Sequence, residues 1–159
     1  MSTFGLERAF GPKNVAIVGG SKRPGSLGTM ILENLTQSGF AGEIAVVNSR
    51  YDSIGDKKAY PSLAALPFVP DLIVVTTPAP SIPDIIDQAG KCGVAGAVII
   101  SSGLGHGPGS IAEAVSQAAR AHGVRIVGPN CLGVMFPRIG LNASFAARHS
   151  KPGSLALIS

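Results

Sequence analysis

Short apolar segments alternate with amphipathic segments along most of this chain. Nearly continuous apolar runs predict buried strands at residues 15–18, 44–47, 72–76, 97–100, 125–127 and 155–158. Apolar residues at helical spacing predict helices at residues 29–38, 82–92 and 111–122. We predict a short helix or arm at residues 1–10 and an irregular segment at 51–70 with one helical turn at 63–66. The alternation favours a single α/β domain with a Rossmann-like, doubly wound, mostly parallel sheet.

The predicted organisation is an N-terminal arm over residues 1–12 and a domain over residues 13–159. The chain stops directly after its last predicted strand, so we expect that the domain was cut from a longer multidomain chain. Only 14% of the residues are charged. Such a low share is also consistent with a face that meets another domain.

The first predicted strand runs into a glycine-rich loop and then into a helix. Such a loop lets the backbone approach a phosphate group while the helix N-terminus faces the anion. The glycines at positions 19, 20, 25 and 28 are out of register with the dinucleotide pattern G-x-G-x-x-G, and the loop carries Lys22 and Arg23. The pattern therefore indicates a phosphate-rich ligand without specifying a nicotinamide cofactor.

The second predicted strand ends without the acidic residue that would bind the ribose of NAD. It continues instead as Asn48, Ser49, Arg50 and Tyr51. The guanidinium of Arg50 suits a phosphate monoester, such as the 2′-phosphate of NADP or the 3′-phosphate of coenzyme A. The alternative is that Arg50 is a solvated loop residue.

Composition narrows the classes of partner. The net charge is +4, but the basic residues are dispersed and only two tyrosines and six phenylalanines are present, so nucleic acid is not an expected partner. No apolar run is long enough to span a membrane, and no secretory signal is visible. Cys92 and Cys131 lack metal-site spacing and are expected to be reduced thiols of a cytoplasmic protein.

Motifs in five segments resemble the coenzyme A-binding domain of the NDP-forming acyl-CoA synthetases, a family related to the α subunit of succinyl-CoA synthetase. The segments are residues 14–28, 46–67, 71–86, 97–105 and 123–145, and the most specific motif is G-P-N-C-x-G at 128–133. Ser49 stands where the family often has proline. The same domain also opens some large protein acetyltransferases.

The resemblance implies coenzyme A as the cofactor and a binding role for each matching loop. The loop that wraps the phosphates would comprise Gly20, Ser21, Arg23, Pro24, Gly25 and Ser26. The adenosine and its 3′-phosphate would be contacted by Asn48, Arg50 and Tyr51. The nucleotide or pantetheine would lie along Thr77, Pro78 and Ala79, and the pantetheine arm beside Ser101, Ser102 and Gly103. The thiol end would lie near Pro129, Asn130 and Cys131; the alternative for these three residues is a tight turn chosen for its shape.

The family reaction converts acyl-CoA, phosphate and a nucleoside diphosphate into free acid, coenzyme A and nucleoside triphosphate through a phosphohistidine. The resemblance places that histidine in a following domain, with a nucleotide-grasp domain as a further partner. We therefore expect no catalytic residue here, and we interpret His106 as a solvated or phosphate-adjacent loop residue. The alternatives are a coenzyme A-sensing regulatory domain of a protein acetyltransferase and an NADP-binding Rossmann domain.

Overall fold

A seven-stranded sheet forms the centre of the computed structural model, which describes residues 5–156. Its strands are β1 (Asn14–Val18), β2 (Glu43–Val47), β3 (Ser53–Ile54), β4 (Lys57–Tyr60), β5 (Leu72–Val75), β6 (Gly96–Ile99) and β7 (Arg125–Val127). A separate hairpin consists of β8 (Gly133–Phe136) and β9 (Leu141–Ser144). The helices of the described chain are α1 (Leu6–Phe10), α2 (Leu27–Gln37), α3 (Ile82–Lys91) and α4 (Ile111–His122). Short 3₁₀ turns occur at Leu63–Ala65, Ala79–Ser81 and Pro137–Ile139.

The strand order is β3-β4-β2-β1-β5-β6-β7, and every pair in it is parallel except β3 with β4. Without the antiparallel edge strand β3, this is the doubly wound order, which reverses between β1 and β5. Ile17 of β1 lies in register with Val46 of β2 on one side and Val74 of β5 on the other. The predicted fold class is confirmed, and ligands of such sheets bind at the carboxyl ends of the strands where the order reverses.

Both faces of the sheet are covered, which explains why its central strands are apolar at nearly every position. Helices α3 and α4 pack on one face, where Ile73, Ile82 and Ile86 are fully buried. On the other face, α2 packs beside β9, where Ile17 and Leu141 are buried. Each large apolar side chain removed from water stabilises the fold by roughly 1.5–3 kcal/mol.

Local capping fixes the ends of the helices. The Ser110 hydroxyl accepts a hydrogen bond from the Glu113 backbone N–H at 3.1 Å, and α4 ends at Gly123 with φ 73°. The predicted bounds of α4 are therefore correct. Helix α2 begins at Leu27, two residues before the predicted start, because Ser26 is its N-cap.

The N-terminal arm is tied to the sheet by one buried carboxylate. Arg8 Nε donates to Asp71 Oδ1 at 2.7 Å, and the backbone N–H of Lys13 donates to Asp71 Oδ2 at 2.9 Å. Phe10 also meets Phe136 of the hairpin edge to face, with ring centroids 5.7 Å apart. The helical part of the predicted arm is limited to α1 among its described residues; residues 1–4 lie outside them.

Two sequence predictions need correction. Residues 51–70 are not wholly irregular, because they contain β3 and β4, and β4 extends the parallel sheet beside β2. In the predicted strand at 155–158, Leu155 is 98% exposed, and neither it nor Ala156 belongs to a strand. The rest of that segment lies outside the described residues.

Candidate functional site

The loop after β1 is held by hydroxyl groups at the start of α2. Ser26 Oγ accepts from the Thr29 backbone N–H at 3.4 Å and lies 2.8 Å from Thr29 Oγ1. Thr29 Oγ1 donates to the Ser21 carbonyl oxygen at 2.6 Å. Ser26 is 8% exposed, so its hydroxyl serves the helix cap and the loop instead of facing the solvent.

Two close contacts fix the loop against the rest of the sheet edge. Gly19 has φ 98°, and a Cβ there would lie 2.7 Å from Thr77 Cγ2 in the loop after β5. Thr76 donates from both its backbone N–H and its hydroxyl to the Val18 carbonyl oxygen, at 2.9 and 3.2 Å. The loops after β1 and β5 therefore touch where the strand order reverses, at the expected position for a ligand.

The segment after β2 is connected to the first loop through Asn48. Its side-chain amide donates to the Gly20 carbonyl oxygen, and its Oδ1 accepts from the Arg50 backbone N–H at 2.7 Å. The backbone N–H of Asn48 donates to the Tyr60 carbonyl oxygen of β4 at 2.8 Å. Strand β4, which the sequence analysis missed, thus supports the segment that carries Arg50.

A cation–aromatic contact bridges the same two loops. Lys22 Nζ of the first loop lies 5.4 Å from the ring centroid of Tyr51. Both side chains are at least partly open to solvent, with Tyr51 36% exposed. The cations Lys22 and Arg50 thus come from two loops that adjoin each other, an arrangement suited to a polyanionic ligand.

Hydroxyl and amide groups continue along the loops after β5, β6 and β7. Ser101 Oγ donates to the Thr77 carbonyl oxygen at 2.6 Å, and Ser81 Oγ lies 3.0 Å from Thr77 Oγ1. The Asn130 backbone N–H donates to the Ser101 carbonyl oxygen at 3.1 Å, and Asn130 has φ 55°. These bonds join three consecutive strand ends into one continuous edge.

Cys131 lies at the far end of this edge and is partly buried. Its Sγ is 3.4 Å from the Ile99 carbonyl oxygen, to which the thiol can donate. Burial raises the pKa of the Cys131 thiol above its ordinary value, against a smaller opposing effect of the backbone N–H groups of Gly133 and Cys131. The thiol is therefore a weak nucleophile in neutral solution.

Two clefts lie along the edge and share Thr76, Thr77 and Pro78. The first has a volume of about 630 Å³ and runs from the shared residues to Arg50 and Tyr51. The second has a volume of about 550 Å³ and runs from the same residues to Cys131. Together they form a groove across the carboxyl ends of the strands, which we call the edge groove.

The structure brings most of the predicted site residues to the edge groove. The first cleft contains Gly20, Ser21, Asn48, Arg50, Tyr51, Thr77 and Pro78. The second contains Thr77, Pro78, Ala79, Ser101, Ser102, Asn130 and Cys131. The predicted residues that line neither cleft are Arg23, Pro24, Gly25, Ser26, Gly103 and Pro129. Of these, Ser26 is buried and the other five are exposed on the loops beside the groove.

Sequence reasoning missed part of the first cleft. Its wall includes Pro61, Ser62 and Leu63 from the segment after β4, and Ile85 and Gln88 from α3. The prediction of an irregular segment at residues 51–70 gave no reason to place the three residues after β4 beside the ligand. The α3 residues could have been found from helical spacing, since both follow the loop after β5 by about one and two turns.

The histidines lie outside the edge groove. His106 is exposed in the loop between β6 and α4, and His149 Nδ1 lies 2.8 Å from Asn142 Nδ2. His122 Nε2 is 2.9 Å from Asp87 Oδ1, and Asp87 Oδ2 is 2.7 Å from Lys91 Nζ. Hydrogen bonds from Lys91 and then His122 lower the pKa of the Asp87 carboxyl below its ordinary value of 3.8. This cluster joins α3 to α4 away from the groove.

Residues 5–156 contain neither a cluster suited to a metal ion nor a helix suited to cross a membrane. No group of three or more His, Cys, Asp or Glu side chains in this range is arranged to hold a metal ion. None of the helices in this range has the length and apolar character needed to cross a membrane.

Sequence comparison relates the chain to a defined family and to curated enzymes. The CoA binding domain family matches residues 13–137. The α subunit of acetate–CoA ligase [ADP-forming] I from Pyrococcus furiosus is 39% identical over 97% of this chain and 35% of its own length. The acetate–CoA ligase [ADP-forming] of Methanocaldococcus jannaschii is 39% identical over 93% of this chain and 21% of its own length. The chain therefore spans about a third or less of these relatives.

Solved structures give the same relationship. The dinucleotide forming acetyl-coenzyme A synthetase 1 of Ca. Korarchaeum cryptofilum, in complex with phosphate and ADP, superposes with a TM-score of 0.81 at 36% identity. The match covers 88% of this chain and 30% of that one. The predicted resemblance to the NDP-forming acyl-CoA synthetases is confirmed by these matches, as is coenzyme A as the expected cofactor.

Proposed function

The chain belongs to the family of CoA-binding domains, and from that premise we propose that it binds coenzyme A or acyl-CoA along the edge groove as one domain of an ADP-forming acyl-CoA synthetase. The observation that carries the proposal is the continuity of the two clefts through Thr76, Thr77 and Pro78. Coenzyme A is elongated, with a phosphorylated adenosine at one end and a thiol at the other. A groove with cations at one end and small polar groups at the other matches this shape.

The adenosine end of the ligand belongs in the first cleft. Arg50 and Tyr51 line it, Lys22 adjoins it through Tyr51, and Leu63 and Ile85 supply apolar surface for a base. A 3′-phosphate beside Arg50 would gain a charge-assisted hydrogen bond. The pyrophosphate then faces the backbone of the loop after β1 and the N-terminus of α2.

The pantetheine arm belongs in the second cleft. Ala79, Ser101 and Ser102 line this part of the groove, and Asn130 and Cys131 lie at its end. The arm carries amides that can pair with hydroxyl and backbone groups, and its thiol would lie beside Asn130. The domain would then present the thiol or thioester to another part of the enzyme.

In the complete enzyme, we place phosphoryl transfer on domains or a subunit other than this one. The proposed overall reaction converts acyl-CoA, ADP and phosphate into free acid, coenzyme A and ATP. A phosphohistidine and a nucleotide-grasp domain would carry the phosphoryl steps, while the present domain holds coenzyme A. A cytoplasmic location is part of the same proposal and is consistent with the free thiols Cys92 and Cys131.

Isothermal calorimetry with four ligands tests the binding proposal. We expect binding of coenzyme A, weaker binding of dephospho-coenzyme A, and no binding of NAD. NADP tests the alternative of an NADP-binding Rossmann domain. Replacement of Arg50 by alanine is expected to weaken the binding of coenzyme A by about tenfold or more, with little effect on the binding of dephospho-coenzyme A. Arg120→Ala, which removes an exposed arginine of α4, is the matched control. Equal affinity for coenzyme A and NAD, or binding of neither, would contradict the proposal.

A further inference from the structure

Asn48 uses both ends of its side chain within the protein. The amide group donates to Gly20 and the carbonyl oxygen accepts from the Arg50 backbone N–H, while the backbone N–H of Asn48 is held by Tyr60. An asparagine amide has two donors and one carbonyl acceptor. With its acceptor and one donor engaged, Asn48 is better placed to hold neighbouring segments than to recognise a ligand.

The Gly20 end of this connection is rigid. A Cβ on Gly20 would lie 2.9 Å from Val46 Cγ1, and a Cβ on Gly28 would lie 2.6 Å from the Gly20 Cα. Gly20 is thus enclosed by β2 on one side and by α2 on the other. A hydrogen bond to its carbonyl oxygen is therefore anchored to a part of the fold that cannot shift easily.

The Arg50 end of this connection is less constrained than the Gly20 end, because Ser49 and Arg50 are exposed and lie outside any strand. Arg50 has no ion-pair partner among residues 5–156. Its main chain is held through the turn in which Asn48 Oδ1 accepts the Arg50 N–H. Loss of that turn would free the Arg50 main chain, whose position determines where the guanidinium group can reach.

We propose that Asn48 is a positioning residue that couples the enclosed Gly20 to the exposed Arg50 and thereby sets the preference for a 3′-phosphorylated ligand. The inference rests on the proposed function, because it takes the ligand phosphate to lie beside Arg50. It assigns Asn48 a role distinct from the adenosine contact that the family resemblance implied. Asn48 acts on the phosphate only through Arg50.

A double-mutant cycle between Asn48 and Arg50 tests this coupling. The measured quantity is the ratio of the dissociation constants for dephospho-coenzyme A and coenzyme A. Asn48→Ala is expected to reduce this ratio by about three- to tenfold, the equivalent of one net hydrogen bond. In an Arg50→Ala background the same change is expected to leave the ratio unaltered, because the two residues act on one contact.

Two further variants keep the test decisive. Asn34 is also partly buried and its amide joins separate segments, donating to the carbonyl oxygens of Ser144 and Ala146 at 2.8 and 3.0 Å. These carbonyls flank Phe145, which lines the second cleft, so Asn34 serves the opposite end of the groove from Arg50. Asn34→Ala is therefore the matched control and should leave the ratio unchanged. If Asn48→Ala does not fold, Asn48→Ser retains a short acceptor for the Arg50 N–H and should reduce the ratio by a smaller factor.

The outcomes separate the inference from the proposed function. Wild-type protein that binds neither ligand overturns both. Wild-type protein that prefers coenzyme A, with an Asn48 variant that weakens both ligands equally, overturns the positioning role alone. Additive effects of the Asn48 and Arg50 substitutions on the ratio would also overturn it.

Discussion

Gly28 of α2 lies against Gly20 of the first loop so closely that a methyl group on Gly28 would stand 2.6 Å from the Gly20 Cα. This approach brings the helix N-terminus to the loop that we propose holds the pyrophosphate. It depends on the absence of a side chain at Gly28. The same contact therefore contributes to the stability of the fold and to the shape of the proposed pyrophosphate-binding loop.

Replacement of Gly28 by alanine is expected to destabilise the fold. Alanine favours helix over glycine by about 1 kcal/mol, but here the methyl would press on backbone atoms that cannot move aside, and overpacking costs about 1–3 kcal/mol. The net loss is measured as the free energy of unfolding in urea. Gly153→Ala is the control, since a Cβ there meets nothing within 4 Å. A Gly28→Ala variant more stable than wild type would disprove the close approach.

The Cys131 thiol is expected to react slowly with iodoacetamide. Burial raises its pKa, so the thiolate fraction at neutral pH is smaller than that of a free thiol. Alkylation of a Cys92→Ser variant, followed by mass spectrometry, is expected to be slower than alkylation of free cysteine. Saturating coenzyme A should slow it further because Cys131 lines the second cleft. NAD serves as the control ligand. If NAD slowed the alkylation of Cys131 as much as coenzyme A does, the result would count against this placement of coenzyme A.

The Asp87 cluster predicts a pH-dependent contribution to stability. Lys91 and His122 lower the pKa of the folded-state carboxyl, so the unfolded chain binds more protons in acid. The contribution is complete above about pH 5 and is lost as the pH falls below the ordinary value of 3.8 through the folded-state pKa. We expect Asp87→Asn to be less stable than wild type at neutral pH and to converge with it in acid.

The same difference is expected to shrink in 1 M salt, because the Asp87–Lys91 pair is exposed and screened. Urea unfolding, followed by circular dichroism from acid to neutral pH, measures the difference in free energy of unfolding between wild type and Asp87→Asn. A constant difference between the two proteins at every pH would contradict the assignment.

The isolated domain is expected to show no synthetase turnover. Phosphoryl transfer requires a metal-bound nucleotide and a positioned nucleophile, and the histidines lie outside the edge groove. The assay incubates the domain with acyl-CoA, ADP, magnesium and phosphate and measures ATP. Sustained ATP formation that disappears in His106→Ala would make His106 catalytic and overturn the division of labour proposed here.

The predictable part of the fold is the part with strong local patterns. Helices α3 and α4 could be placed to within one residue, because Ser110 and Gly123 mark the ends of α4 and an apolar stripe marks each helix. The buried central strands could be predicted equally well, because strands covered on both faces are apolar at nearly every position. Residues of the family motifs lie at both ends of the edge groove, with Arg50 at one end and Cys131 at the other.

The missed elements are short and depend on contacts distant in sequence. Strand β4 contains two lysines, a residue type depleted in strands, and it joins the parallel sheet through its pairing with β2. The hairpin of β8 and β9 is stabilised by packing on α2, which no local pattern reveals. The Ser26 cap is different, because its partner Thr29 is only three residues away, and a serine directly before an apolar helical stripe is a local N-cap signal.

The hydrogen bonds that join the Ser26 and Thr29 hydroxyls to each other and to the Ser21 carbonyl oxygen have a kinetic consequence. These bonds define the shape of the first loop before any ligand arrives, so the loop is preorganised. Association then requires little ordering of the chain, and the entropic cost of binding is correspondingly small. A polyanion that enters the groove is expected to bind in a single kinetic phase, at a rate that depends on ionic strength more than on any rearrangement of the protein.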